Sequence, residues 1–139
     1  MNGLKVNKIV KDIKKYLEDL ERYLPIYEEI LENDREKEYI ISFLIEQIAN
    51  ECVNLGNHII SSLNLDMPES SKDIFDILSK NRYISKVIKE KIEDLVSVRN
   101  IIAHRYTKLS FEELVDVANE IEFVESFLDE ILERIKNKK

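Results

Sequence analysis

Three side chains in the stretch Val98-Arg99-Asn100-Ile101-Ile102-Ala103-His104-Arg105-Tyr106 are of types that do chemistry together: Arg99, Asn100 and His104. An imidazole exchanges protons near neutral pH, which makes His104 a candidate general base or acid. A guanidinium stays charged and can fork two oxygens of an anionic group, so Arg99 suits phosphoryl oxygens on which charge builds. Asn100 lies four residues before His104, one helical turn away, where an amide can orient the imidazole or a substrate. Tyr106 adds a phenol two residues further on.

The element carrying these residues has to be a helix. At 100° per residue, Ile92, Leu95, Val96, Val98, Ile102 and Ala103 fall in one arc, and Arg99 lies near its middle. A guanidinium on an apolar stripe needs a partner. Arg99 and His104 point about 140° apart, so one helix does not bring both onto one substrate atom. Two helices meeting about a twofold axis would, each chain adding its own Arg, Asn and His to a shared cleft. The plainer alternative is that Arg99 and Asn100 tie two helices together and His104 is structural.

Arg99, His104 and Tyr106 match R-x4-H-x-Y, and Arg99-Asn100 with His104 match R-N-x-x-x-H. These motifs resemble those of HEPN-domain proteins, specifically the HepT-like toxins of HEPN/MNT toxin–antitoxin pairs. The likeness runs through Glu46-Gln47 and Gly56-Asn57-His58-Ile59-Ile60 and covers about Tyr39 to Ile135. It implies a homodimeric, metal-independent endoribonuclease without a cofactor, in which Arg99 and His104 are catalytic and Asn100 supports them. In that chemistry the RNA 2′-hydroxyl attacks the adjacent phosphorus at a composite dimer site. It also implies that Tyr106 accepts AMP from a cognate MNT-type nucleotidyltransferase antitoxin, silencing the nuclease. The alternative is a non-catalytic helical partner or substrate-binding subunit of a minimal nucleotidyltransferase. On the bare sequence, Tyr106 is equally an amphipathic side chain at a helix rim.

Composition agrees with a single helical domain over residues 1–139: 44% hydrophobic and 35% charged, with two Gly and two Pro. Cys52 stands alone on an apolar stripe, which excludes an internal disulfide and predicts a buried small hydrophobe. The two histidines, His58 and His104, have no metal-ligand spacing, and His58 is expected to pack or hydrogen-bond. No Gly-rich phosphate loop or nucleophile elbow occurs. No leader or apolar run of membrane length is visible, so the expectation is a soluble, cytoplasmic protein with no membrane role.

A net charge of −7 argues against a generic nucleic-acid coat. Its distribution is uneven. Lys80, Arg82, Lys86, Lys89 and Lys91 cluster against the single acid Glu90, while residues 111–133 carry nine acids and no Lys or Arg. Arg82, Lys86, Arg105 and Lys108 are therefore the cations expected to hold RNA on a basic rim near the motif; alternating solvated helix faces is the competing account.

The periodicity predicts an up-and-down bundle of four long helices and one short one. The first runs from Leu4 to about Glu32 with a kink or break at Pro25. The second, about Arg35 to Leu63, carries Ile41, Ile45, Ile48, Cys52, Leu55 and Ile59, with Gly56 allowing close approach of a neighbour. After a loop at Asn64–Ser71, a short helix capped by Ser70 runs to Lys80. The motif helix, capped by Ser85, continues to about Tyr106, and an amphipathic helix capped by Ser110 spans Phe111 to Lys136.

Overall fold

A computed structural model describes residues 1–104 and 110–137. Among these residues there are seven helices and no strand: α1 (Gly3–Glu21), α2 (Glu28–Asn33), α3 (Arg35–Ser62), α4 (Ser71–Lys80), α5 (Lys86–His104), α6 (Phe111–Asn119) and α7 (Phe123–Asn137). The expected all-α bundle is present. Arg105, Tyr106 and Lys108, which the sequence reading singled out, lie outside the described residues.

α3 is the spine. Its inward residues Ile41, Ile45, Ile48, Cys52, Leu55 and Ile59 are all fully buried, and α1, α2, α4, α5 and α6 each pack against it. Each fully buried aliphatic side chain of this kind contributes about 1.5–3 kcal/mol relative to exposure. α1 presents Val6, Ile9, Val10, Ile13, Leu17 and Leu20 to it. Phe75 of α4 and Phe127 of α7 meet edge to face, with ring centroids 5.8 Å apart. Burial pushes the Cys52 thiol far above its ordinary range, so it packs as an inert small hydrophobe.

Caps form where the sequence placed them. Ser70 Oγ accepts from Asp73 N at 3.2 Å, and the Asp73 carboxylate accepts from Glu69 N. Ser85 Oγ accepts from Ile88 N, and Ser110 Oγ from Glu113 N. α3 and α4 end alike: Leu65 N bonds Ile60 O and Tyr83 N bonds Leu78 O, with Asn64 and Arg82 at φ 53° and 63°. These six-to-one bonds around a left-handed residue are Schellman endings.

The first long helix breaks around Pro25 as expected, and the last, expected to be continuous, is divided as well. The first stops at Glu21, and α2 begins only at Glu28, past the cis Leu24–Pro25 peptide. There Asn119 clasps the chain: its Oδ1 accepts from Ile26 N at 2.9 Å and its Nδ2 donates to Ile26 O at 2.8 Å. Tyr27 and Ile30 are exposed. The last helix is interrupted by a tight turn at residues 120–122, in which Phe123 N bonds Glu120 O and Val124 N bonds Ile121 O. Ile121 within the turn and Val124 just after it are both buried. The apolar rhythm thus crosses a break that it does not register.

Gly56 sits where α4 crosses α3. A Cβ built there would lie 2.5 Å from Ile74 Cγ2 and 3.2 Å from Leu78 Cδ1. A methyl group here would force the Ile74 and Leu78 side chains, and with them α4, to shift away from α3.

Candidate active site

Arg99 lies on the inward side of α5, as its place in the apolar arc required, and the neighbouring helices supply its partners. Its Nη1 donates to Asn50 Oδ1 of α3 at 2.9 Å, and its Nη2 donates to Ser71 Oγ, the first residue of α4, at 3.1 Å. A guanidinium has no acceptor, so Asn50 must present its carbonyl oxygen. The Nε of Arg99 is buried and has no hydrogen-bond partner among the described residues. Among those residues no carboxylate comes within the 4.0 Å of an ion pair with Arg99. Its charge is held in place by neutral oxygens, beside the positive end of the α4 dipole.

Asn100 is half-buried, and His104 is the exposed last residue of α5. Ala103, expected on the buried arc, is exposed as well, because the apolar contacts of α5 stop at Ile102. Five residues of helix put His104 about 7.5 Å further along the axis than Arg99 and turned away from it. One protomer therefore offers a fixed cation and an exposed imidazole that diverge.

Arg82 and Lys86 stand elsewhere. Both are exposed at the opposite end of α5, and eighteen residues separate Lys86 from His104, about 27 Å of helix. They line an open cleft of about 920 Å³ whose wall also carries Asp129, Glu130, Glu133 and Arg134. Arg134 covers the ring of Tyr83 at 5.1 Å, and Glu130 accepts from Ser85 N and Oγ. The other lysines of the basic cluster are paired: Lys80 and Lys89 with Asp76, Lys91 with Glu120. The basic rim expected beside the motif is thus largely neutralised along the first half of α5.

A family model described as Ribonuclease HepT-like matches residues 13–131. This chain belongs to the HepT-like family. The mRNA nuclease HepT of Shewanella oneidensis is 31% identical over 88 residues, covering 63% of this chain and 66% of that relative's length. A solved structure of the tri-AMPylated HEPN toxin of Shewanella oneidensis in complex with MNT antitoxin is 26% identical, with a TM-score of 0.84 over 96% of this chain and 99% of that one. A cytosolic protein of unknown function from Bacillus subtilis, YutE, shares the fold at 16% identity, with a TM-score of 0.81 over 96% of this chain and 90% of that one. The HepT-like match begins well before Tyr39, where the motif resemblance started, and so takes in the second half of α1.

Asn50 and Ser71 are the site residues that sequence reasoning missed. They lie 49 and 28 residues from Arg99, and no local spacing connects them. The available signal was a demand without an address: an arginine in an apolar arc had to be met by polar groups from other helices.

Proposed function

We propose that this chain is the toxin of a toxin–antitoxin pair and acts as a metal-independent endoribonuclease whose site is completed by a second copy. The observation that carries this reading is Arg99: a guanidinium fixed by neutral oxygens, uncompensated by any described carboxylate, one and a half turns from an exposed histidine in a HepT-like chain.

In the proposed reaction His104 of one copy takes the proton of an RNA 2′-hydroxyl. The oxygen forms a bond to the adjacent phosphorus, the bond from phosphorus to the 5′-oxygen breaks, and the products are a 2′,3′-cyclic phosphate and a free 5′-hydroxyl. The leaving oxygen takes its proton from the imidazolium of the second copy's His104. Arg99 holds the phosphoryl oxygens as their charge rises, and Asn100 orients the imidazole or the substrate. The divergence of Arg99 and His104 on one helix supports the need for two copies. Arg105 and Lys108, next to His104 in sequence, are the cations proposed to hold the flanking RNA backbone. Arg82 and Lys86 reach the same strand only if it extends along α5.

Silencing is proposed to run through Tyr106. AMP transferred to its phenol by a cognate MNT-type nucleotidyltransferase would set bulk and negative charge two residues from His104, where RNA phosphate has to sit. The AMPylated state and MNT complex of the Shewanella oneidensis toxin support this reading.

A second reading is favoured by one observation: Arg99 joins α5 to α3 and α4, as a structural tie in a non-catalytic partner of the nucleotidyltransferase would. RNA cleavage in EDTA by purified, unmodified protein separates the two. Wild type is expected to cut RNA and His104→Ala to be inactive; a wild type that cuts nothing, or an equally active mutant, overturns the nuclease reading. Sedimentation should give a dimer, and a monomer at working concentration overturns the shared cleft. Co-expression with the nucleotidyltransferase should add AMP at Tyr106, read by intact mass and peptide mapping.

A further inference from the structure

An arginine on a buried stripe ordinarily finds a carboxylate, because desolvating a lone charge is costly. This chain has acids in excess, 28 against 21 basic residues. Two of them stand close by in sequence: Glu46 lies one turn before Asn50 on the same face of α3, and Asp73 lies two residues beyond Ser71. Neither pairs with Arg99. Asp73 is engaged instead with the Glu69 amide at the start of α4. The two groups that do hold Arg99 are an amide oxygen and a hydroxyl, on two different helices.

We infer that Asn50 and Ser71 are positioning residues whose neutrality is part of the site: they aim the Arg99 guanidinium while leaving its full charge for an anionic phosphoryl group. This rests on the proposed RNA chemistry, which it deepens. A carboxylate at either position would fix Arg99 at least as firmly, yet would set a negative charge where the phosphate has to approach. A structural tie has the opposite preference and is strengthened by that carboxylate. Gly56 lets α4, whose first residue is Ser71, pack closely on α3 through Ile74 and Leu78.

The test replaces neutrality without removing the hydrogen bond. Asn50→Asp keeps an oxygen of nearly the same shape in place. With full-length protein and a mixed-sequence single-stranded RNA in EDTA, Asn50→Asp is expected to melt no lower than wild type. Its kcat/KM should fall about tenfold to a hundredfold. Binding of the 2′-deoxy counterpart of that oligonucleotide, which cannot be cut, should weaken, and the slope of log affinity against log salt should drop by about one phosphate contact. Asn50→Ala, neutral but lacking the bond, should lose less activity and more stability than Asn50→Asp. If Asn50→Asp does not fold, Ser71→Asp takes its place under the same criteria; an acid at the first position of α4 is favoured by the helix dipole.

A wild type that cuts, with a stable Asp variant cutting within about threefold of it, overturns this inference and leaves the nuclease reading intact. A wild type that binds the deoxy-oligonucleotide without cutting RNA, with the Asp variant binding less well, sinks the nuclease reading and upholds the neutral cradle. Equal binding by both proteins, or none by either, overturns the cradle.

Discussion

At its N-terminal end α5 starts beside an open cleft of about 920 Å³, where Arg82, Lys86 and Arg134 share the lining with Asp129, Glu130 and Glu133. At its C-terminal end the same helix carries Arg99, gripped by two neutral oxygens, and His104. The first region has room and balanced charge; the second has a fixed cation that no carboxylate among the described residues pairs with. Phosphoryl chemistry depends on the second property, since stabilising charge that builds on oxygen requires donors already aimed and not already neutralised. Cavity volume alone nominates the opposite end of the helix from the one proposed to carry the chemistry.

The largest expected effect separates the two ends directly. Arg99→Ala should lower kcat/KM for RNA cleavage by about a hundredfold to a thousandfold. The double substitution Arg82→Ala, Lys86→Ala should change it by no more than about threefold, with any loss appearing in the salt slope as uniform backbone binding. Equal losses from both variants would break the contrast and extend the site along the whole helix.

A smaller effect bears on how the second end is built. Gly56→Ala should destabilise the fold by about 1–2 kcal/mol in denaturant titration. The gain of about 1 kcal/mol in helix propensity is outweighed by forcing Ile74 and α4 away from α3. Activity should fall further than the unfolded fraction explains, because Ser71 moves with α4. An unchanged midpoint would show that the crossing tolerates a methyl group.

Smaller again, Arg82→Gly should stabilise the chain by about 0.5–1 kcal/mol, since residue 82 holds a left-handed φ of 63° that glycine adopts without strain. Cleavage should be preserved, sharpening the claim that this end is structural. Loss of cleavage on gaining stability would instead give the Arg82 side chain a role in holding RNA.

The least effect belongs to a third place, the C-terminal part of α3 beside the first residues of the chain. Burial holds the folded-state imidazole of His58 below its ordinary value of 6.5, assisted by Lys5 and the N-terminal amine and opposed by a hydrogen bond with the Asn2 backbone. The unfolded chain therefore takes up this proton first as pH falls. The stability concerned is fully present above about pH 6.5 and is lost progressively below it. His58→Gln should flatten the fall in melting temperature between about pH 7 and pH 5, while leaving the pH profile of cleavage in place. A cleavage profile that moved with His58 would join this position to the chemistry.

Much of the fold was legible because burial has a period. The stripe of α3, the inward faces of α1 and α6–α7, and the caps Ser70, Ser85 and Ser110 all follow from local spacing. The break near Pro25 was legible from the proline, but the turn at residues 120–122 was not, since Ile121 and Val124 keep the apolar rhythm across it, and neither was the clasp on Ile26, which comes from Asn119, 93 residues away. For the site, the need of Arg99 for a partner could be read from its place in an apolar arc. The identity of that partner could not, because Asn50 and Ser71 reach it through the tertiary packing of α3 and α4 against α5. The separation of Arg82 and Lys86 from the motif is a matter of helix length: residues near in sequence are far apart when a straight helix lies between them.

The Asn119 clasp gives the molecule a built-in reporter. Ile26 lies in an irregular segment, where a backbone amide normally exchanges its hydrogen with solvent quickly, yet here that amide donates to a side chain of α6. Its protection from exchange therefore measures neither the α1–α2 connection nor α6 alone but the docking of one on the other. Followed by amide exchange, that single hydrogen would distinguish a loosening of the N-terminal helices from a disturbance at the motif end of α5.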